Sequence, residues 1–161
     1  MKDNLTPVEI IGLAIRSEEE ASAFYGHISK LVKNELVRSK YESLAREEGR
    51  HREMLVALYR KMTGEKGAPP KIPGDPATAE GGFPVENASI EDLLNFAIAR
   101  EQEARRFYTK AAERTNDHTS KRMLEYLADI ERGHETMLKS ELDAYLRDKN
   151  WYAEHPDIQL V

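Results

Sequence analysis

The sequence contains an internal repeat of two similar halves, and this repeat limits the possible folds more than any other feature of the sequence. Residues 13–55 align without a gap on residues 96–138, a shift of 83 positions, and 14 of the aligned residues are identical. Each half reads E-x-x-A-x-x-F-Y and, further along, E-x-x-H. We therefore expect two units of the same structure, related by a pseudo-twofold axis.

The identities include the polar residues of both motifs. In matching pairs these are Glu18 and Glu101, Tyr25 and Tyr108, Glu48 and Glu131, and His51 and His134. The glutamates and histidines interrupt stripes of apolar residues that recur every three or four positions, the spacing of a helix face turned toward a core. Members of these stripes are Val37, Tyr41, Leu44, Leu55, Leu58 and Met62 in the first half, and Leu94, Ile98, Ala104, Leu124, Leu127, Leu138 and Tyr145 in the second.

Two helix starts stand at equivalent places in the repeat. Thr6 lies three residues before Glu9, and Ser89 lies three residues before Asp92. A hydroxyl followed by an acid at this spacing is typical of a capping box. The two motifs of each half then lie at equal distances from a turn, near 33–34 and near 116–117, so each half is predicted to be a helical hairpin.

A long segment rich in glycine and proline separates the hairpins and cannot form a helix of any length. Its length suits the single crossover of a ferritin-like bundle, in which the second and third helices run parallel. The predicted fold is all-α: a ferritin-like four-helix bundle of two repeated hairpins joined by this crossover. The bundle would occupy residues 1–148, with hairpins at 6–62 and 89–148, the crossover at 63–88 and a C-terminal tail at 149–161.

The donor set indicates a dinuclear metal site in the bundle interior. A buried carboxylate costs several kcal/mol unless it is paired, and four close together also repel one another. Two divalent cations would neutralise four glutamates, with the histidines binding as neutral imidazoles. Oxygen and nitrogen donors without sulfur suit iron or manganese, and zinc is acceptable. We assign Glu18 and Glu101 as terminal ligands, Glu48 and Glu131 as bridges, and His51 and His134 as one nitrogen ligand per metal.

At these residues the sequence resembles the rubrerythrin-like branch of the ferritin-like di-iron carboxylate superfamily, over almost the whole chain before about 148. The resemblance implies two iron ions per chain, with Tyr25 and Tyr108 hydrogen-bonded to metal-bound glutamates. It also implies reduction of hydrogen peroxide, or oxidation of Fe(II) by peroxide or oxygen, in oxidative-stress defence. The chain differs at Ala104, where the family carries an extra carboxylate, and it has no rubredoxin domain, because cysteine is absent.

The amino-acid composition limits which partners this protein is expected to bind. Without cysteine the chain can hold no iron–sulfur or rubredoxin-type centre, so we expect a separate electron-donor protein such as a rubredoxin. A net charge of −5 without a basic cluster argues against nucleic acid. With 33% charged residues, no long apolar run and no export signal, we expect a cytoplasmic protein without membrane contact. We also expect the chain to form a homodimer.

Several alternatives stay open from the sequence. The protein could handle iron without enzymatic turnover, hold a purely structural metal pair, or oxygenate an organic substrate. Tyr25 and Tyr108 could be ordinary core tyrosines. Other residues near the motifs are predicted to lie outside the site: Phe24 and Phe107 as packing residues, and His27, His118, His155, Glu19 and Glu47 as surface groups. The tail with Trp151 and Tyr152 could pack on the bundle, pack on a second chain, or be disordered.

Overall fold

A computed structural model describes residues 6–32, 35–66 and 88–147 of the chain. Its helices are α1 (Pro7–Leu31), α2 (Glu35–Thr63), α3 (Ile90–Arg114) and α4 (His118–Arg147). The prediction of an all-α bundle made of two helical hairpins is confirmed. The predicted turn at 33–34, most of the crossover, the tail and His155 lie outside the described residues. None of the described helices is long and apolar enough to cross a membrane.

Capping boxes begin the first helix of each hairpin, as predicted. The Thr6 hydroxyl accepts a hydrogen bond from the Glu9 N–H at 3.3 Å, and the Glu9 carboxylate accepts one from the Thr6 N–H at 2.8 Å. Ser89 and Asp92 make the same reciprocal pair at the start of α3. Each cap satisfies N–H groups that the helix itself leaves free, and such a cap is worth about 1 kcal/mol.

The second hairpin turns at residues 115–117, where the sequence predicted a turn. Asp117 begins α4, because its carboxylate accepts hydrogen bonds from the N–H and the hydroxyl of Ser120, both at 2.7 Å. In the first hairpin α2 ends beside Gly64, whose φ of +73° favours glycine. The Gly64 N–H donates to the carbonyl of Arg60 at 2.9 Å and satisfies one of the free carbonyls of the helix end.

Contacts between the hairpins fix the direction of each helix. Tyr25 of α1 bonds to Glu101 of α3, whereas a later residue of α3, Tyr108, bonds to the earlier Glu18 of α1, so these helices are antiparallel. Helices α2 and α4 are antiparallel by the same reasoning, since Lys40 pairs with Glu141 and a later residue of α2 pairs with an earlier residue of α4. Helices α2 and α3 therefore run parallel, as the length of the crossover predicted.

Two apolar clusters occupy the ends of the bundle and leave its centre to polar groups. One cluster is formed by residues such as Ile11, Leu55, Tyr59, Leu124 and Leu127, and it includes Tyr108. The other is formed by residues such as Ile28, Tyr41, Leu44, Leu94 and Leu138, and it includes Tyr25. Burying each large apolar side chain contributes about 1.5–3 kcal/mol. The predicted stripes are the core, with Val37, Met62, Ala104 and Tyr145 only partly buried.

Candidate metal centre

The six predicted ligands meet in the middle of the bundle, and all four helices contribute. Glu18 comes from α1, Glu101 from α3, and each E-x-x-H motif from α2 or α4. The three-residue spacing of that motif puts both side chains on one helix face. The exposed fractions are small: 2% for Glu18, 1% for Glu48, 4% for His51, 3% for Glu101, 1% for Glu131 and 6% for His134.

The donor atoms form two overlapping groups. One group holds Glu18 and His51, the other holds Glu101 and His134, and both include Glu48 and Glu131. Within each group the donor atoms all lie within 4.8 Å of one another. Two sets of four donors that share two carboxylates have the arrangement expected for two metal ions joined by two bridging glutamates.

Both imidazoles turn the same ring nitrogen toward the carboxylates. His51 Nδ1 lies 2.9 Å from Glu48 Oε2 and 3.5 Å from Glu18 Oε2. His134 Nδ1 lies 3.2 Å from Glu131 Oε2 and 3.5 Å from Glu101 Oε2. The rings are nearly parallel, with centroids 5.9 Å apart. One nitrogen donor is therefore available to each group.

Close packing shifts the pKa values of these groups in opposite directions. Burial is the main cause that raises the pKa of Glu18 to about 8 and the pKa of Glu131 well above its usual value. Burial also opposes ionisation of Glu48, but hydrogen bonds from His134 and His51 outweigh it and lower the pKa of Glu48 to about 2. Burial disfavours charged imidazoles, yet hydrogen bonds to the glutamates raise the pKa of His51 to about 9 and also raise the pKa of His134. When metal is absent, protons bound to the glutamates and histidines therefore compensate the negative charge of the buried carboxylates.

Two buried oxygens test whether the cluster fits metal ions. Glu48 Oε1 and Glu131 Oε1 are both buried and accept no well-aligned hydrogen bond, although His134 Nδ1 lies 3.2 Å from the first and His51 Nδ1 lies 3.7 Å from the second. Buried polar atoms without a partner are rare and costly in folded proteins. The two oxygens belong to the carboxylates that the donor groups share, which is where a bridged metal pair would bind. The residues present therefore fit two divalent ions.

The two tyrosines tie the hairpins together at the cluster. The Tyr25 hydroxyl donates to Glu101, and the Tyr108 hydroxyl donates to Glu18, so each hairpin holds the glutamate of the other. Both rings are fully buried. Burial and the neighbouring glutamates raise the pKa of each tyrosine, so both hydroxyls keep their protons as donors. The sequence predicted the residues, whereas the exchange between hairpins is visible only in the structure.

One surface prediction is only partly right. Glu47 was expected to be solvated, but its Oε2 lies 3.0 Å from His134 Nε2, and its side chain is 38% exposed. The apolar stripe excluded Glu47 because it is one position away from Glu48. A possible signal was the break in the repeat, because the residue that corresponds to Glu47 is Ile130.

The other predictions outside the site agree with the described residues. Glu19 is exposed and pairs with Arg52 at 2.7 Å, and His27 and His118 are exposed. Phe107 is buried in the core. Phe24 packs against Phe96, with ring centroids 5.2 Å apart.

Sequence reasoning missed a buried acid beside the site. Glu135 is only 5% exposed, and its carboxylate contacts Gln102 at 2.9 Å, Lys139 at 2.5 Å and Arg105 at 3.2 Å. Its neighbour in sequence is the candidate ligand His134. Two cations and one amide compensate the buried charge, so Glu135 needs no metal to explain it.

A small cavity reaches the cluster between α1 and α3. Besides four of the glutamates it is lined by Ser17, Ala21, Arg100 and Ala104, and its empty volume is about 260 Å³, part of which is open solvent. The Arg100 guanidinium lies 5.3 Å from the centroid of the Phe24 ring. Ala104 stands where the resemblance noted above implies an extra carboxylate, so a methyl group lines this path instead of a charge.

The fold and the donor set define the class of protein: a four-helix bundle whose carboxylates and histidines indicate a dinuclear metal site. The model of the Rubrerythrin family matches residues 9–142. The chain belongs to the rubrerythrin family.

Solved structures share the fold of this chain. A hypothetical protein from Pyrococcus furiosus is 34% identical, with 91% of this chain and 92% of that chain covered and a TM-score of 0.71. A bacterioferritin from Rhodobacter capsulatus, with a metal-free dinuclear site and haem iron, is 24% identical over 91% of this chain and 89% of that chain, with a TM-score of 0.70. KatB, a manganese catalase from Anabaena PCC7120, is 23% identical over 89% and 76%, with a TM-score of 0.65. No curated protein matches the chain. The predicted ferritin-like fold is confirmed.

Proposed function

We propose that this protein is a di-iron carboxylate redox protein that reduces hydrogen peroxide, oxidises Fe(II), or does both. The observation that carries the proposal is the pair of donor groups that share Glu48 and Glu131. Membership of the rubrerythrin family supports iron as the metal, and the likeness to a manganese catalase keeps manganese as the alternative. Two divalent ions would balance the four glutamates and need no further charge from the protein.

Each of the buried residues would have a distinct role in this reaction. Glu48 and Glu131 would bridge the metals, and each metal would have one terminal glutamate and one histidine. The chemistry that a bound Fe(II) pair supplies is two electrons, which together with two protons reduce hydrogen peroxide to two water molecules. Tyr25 and Tyr108 hold the terminal glutamates in place, because each buried hydroxyl donates to one of them.

The size of the cavity favours a small oxidant over an organic substrate. Pockets for drug-sized molecules usually measure about 300–1,000 Å³, whereas the part of this cavity that a small molecule can enter measures about 10 Å³, roughly the space of one water molecule. Arg100 lines it and adds a positive charge beside the carboxylates. Peroxide and oxygen are the smallest of the candidate substrates, so an organic-substrate oxygenase is the weaker alternative.

Metal analysis followed by anaerobic loading tests the proposal. Protein purified without chelators or added metal should contain two irons per chain, and metal-free protein should take up two Fe(II) ions anaerobically. One equivalent of hydrogen peroxide should then oxidise both, and stopped-flow absorbance would compare this rate with the rate for oxygen. Failure to bind Fe(II) would contradict the redox function.

Repeated turnover separates the enzyme from the alternatives. With excess peroxide and a chemical reductant, a peroxidase consumes many equivalents of peroxide per chain. An iron-handling protein stops after its bound or added Fe(II) is oxidised, and a structural metal pair does not react. The expectations of a homodimer, a separate electron donor such as a rubredoxin, a cytoplasmic location and a role in oxidative stress stay predictions.

A further inference from the structure

Glu47 connects the outer edge of the metal centre to a buried ligand of the opposite hairpin. Its Oε2 lies 3.0 Å from Nε2 of His134. Its Oε1 accepts a hydrogen bond of 3.3 Å from the hydroxyl of Ser43, which lies one helical turn earlier on α2. The carboxylate is thus held from both sides, and it reaches across from α2 to α4.

The contact gives the two nitrogens of His134 separate roles. Nδ1 faces Glu131 and Glu48, both at 3.2 Å, while Nε2 faces Glu47. A neutral imidazole carries its proton on one nitrogen only, and a carboxylate beside Nε2 favours the proton at that nitrogen. Nδ1 is then left with a free lone pair directed at the carboxylates, as a metal ligand requires.

The repeat does not reproduce this arrangement at His51. The residues that correspond to Ser43 and Glu47 in the second half are Tyr126 and Ile130. An isoleucine side chain cannot accept a hydrogen bond, and the Tyr126 side chain is 53% exposed. The pseudo-twofold symmetry of the six donor residues is therefore broken at the next layer of the site.

We propose that Glu47 is a positioning residue that makes the two metal positions unequal. A carboxylate hydrogen-bonded to the outer nitrogen of a ligating histidine fixes the ring and raises the basicity of the inner nitrogen. The half of the centre that contains His134 and Glu101 therefore binds a divalent ion first and more tightly than the half that contains His51 and Glu18. This inference rests on the proposed dinuclear site and adds an order of filling.

Titration of the metal-free protein with Co(II) tests the inference without relying on enzyme activity. The visible absorption of bound cobalt should rise in two distinguishable steps in the native protein. Glu47→Ala should weaken the tighter step by about 10- to 100-fold, as other such contacts do, and should leave the weaker step unchanged. Glu47→Gln keeps an oxygen acceptor without its charge and should give an intermediate loss.

Glu19→Ala is the matched control, because Glu19 is also an acid next to a candidate ligand but contacts Arg52 on the surface. Both steps should survive in this variant. Proton NMR of the singly loaded protein gives a second measurement, in which the cobalt-shifted N–H of the bound histidine should exchange with solvent faster in Glu47→Ala. A general loss of packing would not single out this proton.

The outcomes separate this inference from the proposed function. Unchanged cobalt binding in Glu47→Ala, or an equal loss in both steps, would overturn the role of Glu47 and leave the dinuclear site in place. A native chain that binds fewer than two cobalt ions would contradict the dinuclear site, and the order of filling with it. Selective weakening of the tighter step in Glu47→Ala supports both the dinuclear site and the role of Glu47.

Discussion

The two hairpins carry the same side chains toward the centre of the bundle and different ones on their flanks. In the first hairpin the flank is made of small residues, and a Cβ on Gly26 would lie 4.0 Å from the Cβ of Ala45, an ordinary contact between closely packed helices. The corresponding flank of the second hairpin is a groove lined by longer residues that include Arg105, Thr109 and Arg132. The site constrains the inner face of each copy, and the outer face is free to diverge.

The charges beside the ligands differ in the same way. In the first hairpin Arg52 donates to Glu19 at 2.7 Å in an exposed ion pair. The corresponding residues of the second hairpin are Glu135 and Gln102, which bond at 2.9 Å around a buried carboxylate. The residues at these two equivalent positions thus form an exposed ion pair in the first hairpin and part of a buried hydrogen-bond network in the second.

Even Glu48 and Glu131, the two proposed bridges, are not equivalent without metal. Hydrogen bonds from both histidines lower the pKa of Glu48, whereas burial and the charge of Glu48 raise the pKa of Glu131. Two close carboxylates in a buried site cannot both ionise without cost, so one keeps its proton. The repeat supplies two identical groups, and their interaction makes them different.

The largest effect is expected from removing both shared carboxylates. Glu48→Ala together with Glu131→Ala should reduce the metal content from two ions per chain to none, because each donor group loses two of its four members. Elemental analysis after Fe(II) loading and desalting measures this. Glu42→Ala with Glu125→Ala is the matched control, since these residues are also identical in the repeat but exposed. Two bound metals in the first variant would show that the assignment of bridges is wrong.

The metal-free protein should lose stability as the pH rises. The folded-state pKa of Glu18, about 8, lies above its ordinary value of 4.5, so its stabilising contribution is complete below 4.5 and is lost as the pH rises through about 8. His51 acts in the same direction between its ordinary 6.5 and about 9. Glu48 acts oppositely, and its contribution is lost only as the pH falls through about 2.

Thermal unfolding of metal-free and metal-loaded protein between pH 5 and pH 9 measures this difference. The metal-free Tm should fall by about 5 °C or more over that range, since 1 kcal/mol corresponds to about 2–4 °C in a chain of this size. The loaded protein should not show this fall, because the metals replace the protons. Parallel curves for the two forms would contradict the charge balance described for the cluster.

Tyr25→Phe and Tyr108→Phe test the contacts that the hairpins exchange. Each change removes a buried donor to a glutamate and should lower the free energy of unfolding by about 1–3 kcal/mol. Urea unfolding followed by circular dichroism measures it. Tyr126→Phe, at a residue that is 53% exposed, should change it by less than about 0.5 kcal/mol. Equal losses of unfolding free energy in the two variants would show that the two tyrosine–glutamate contacts are equivalent in the two hairpins. No loss in either variant would contradict the stabilising role of these contacts.

A smaller contrast is expected between the two charge networks. Glu135→Ala leaves Gln102 and two cations without their buried acceptor and should cost about 1–3 kcal/mol of unfolding free energy. Glu19→Ala removes one exposed ion pair and should cost about 0.5 kcal/mol or less. The same urea experiment compares them. Similar costs would mean that burial does not distinguish the two hairpins at these positions.

Much of the fold follows from local spacing. The capping boxes at Thr6 and Ser89, the turn near Asp117 and the apolar stripes each depend on residues a few positions apart, and all are found in the structure. The convergence of the six candidate ligands was also predictable, because each lies on an inward stripe. The contacts of Glu47 and Glu135 were not predictable in this way, since they depend on how a neighbouring helix packs against the edge of a stripe.

By itself the sequence determined that four helices form two similar hairpins and that each hairpin carries two glutamates, a histidine and a tyrosine on its inner faces. Periodicity is a property of one helix at a time, so the sequence could specify which side chains face inward. Only the tertiary structure decided that Tyr25 bonds to Glu101, that Tyr108 bonds to Glu18 and that Glu47 reaches His134. Those contacts join different hairpins, and they depend on how the two hairpins are rotated and packed against each other.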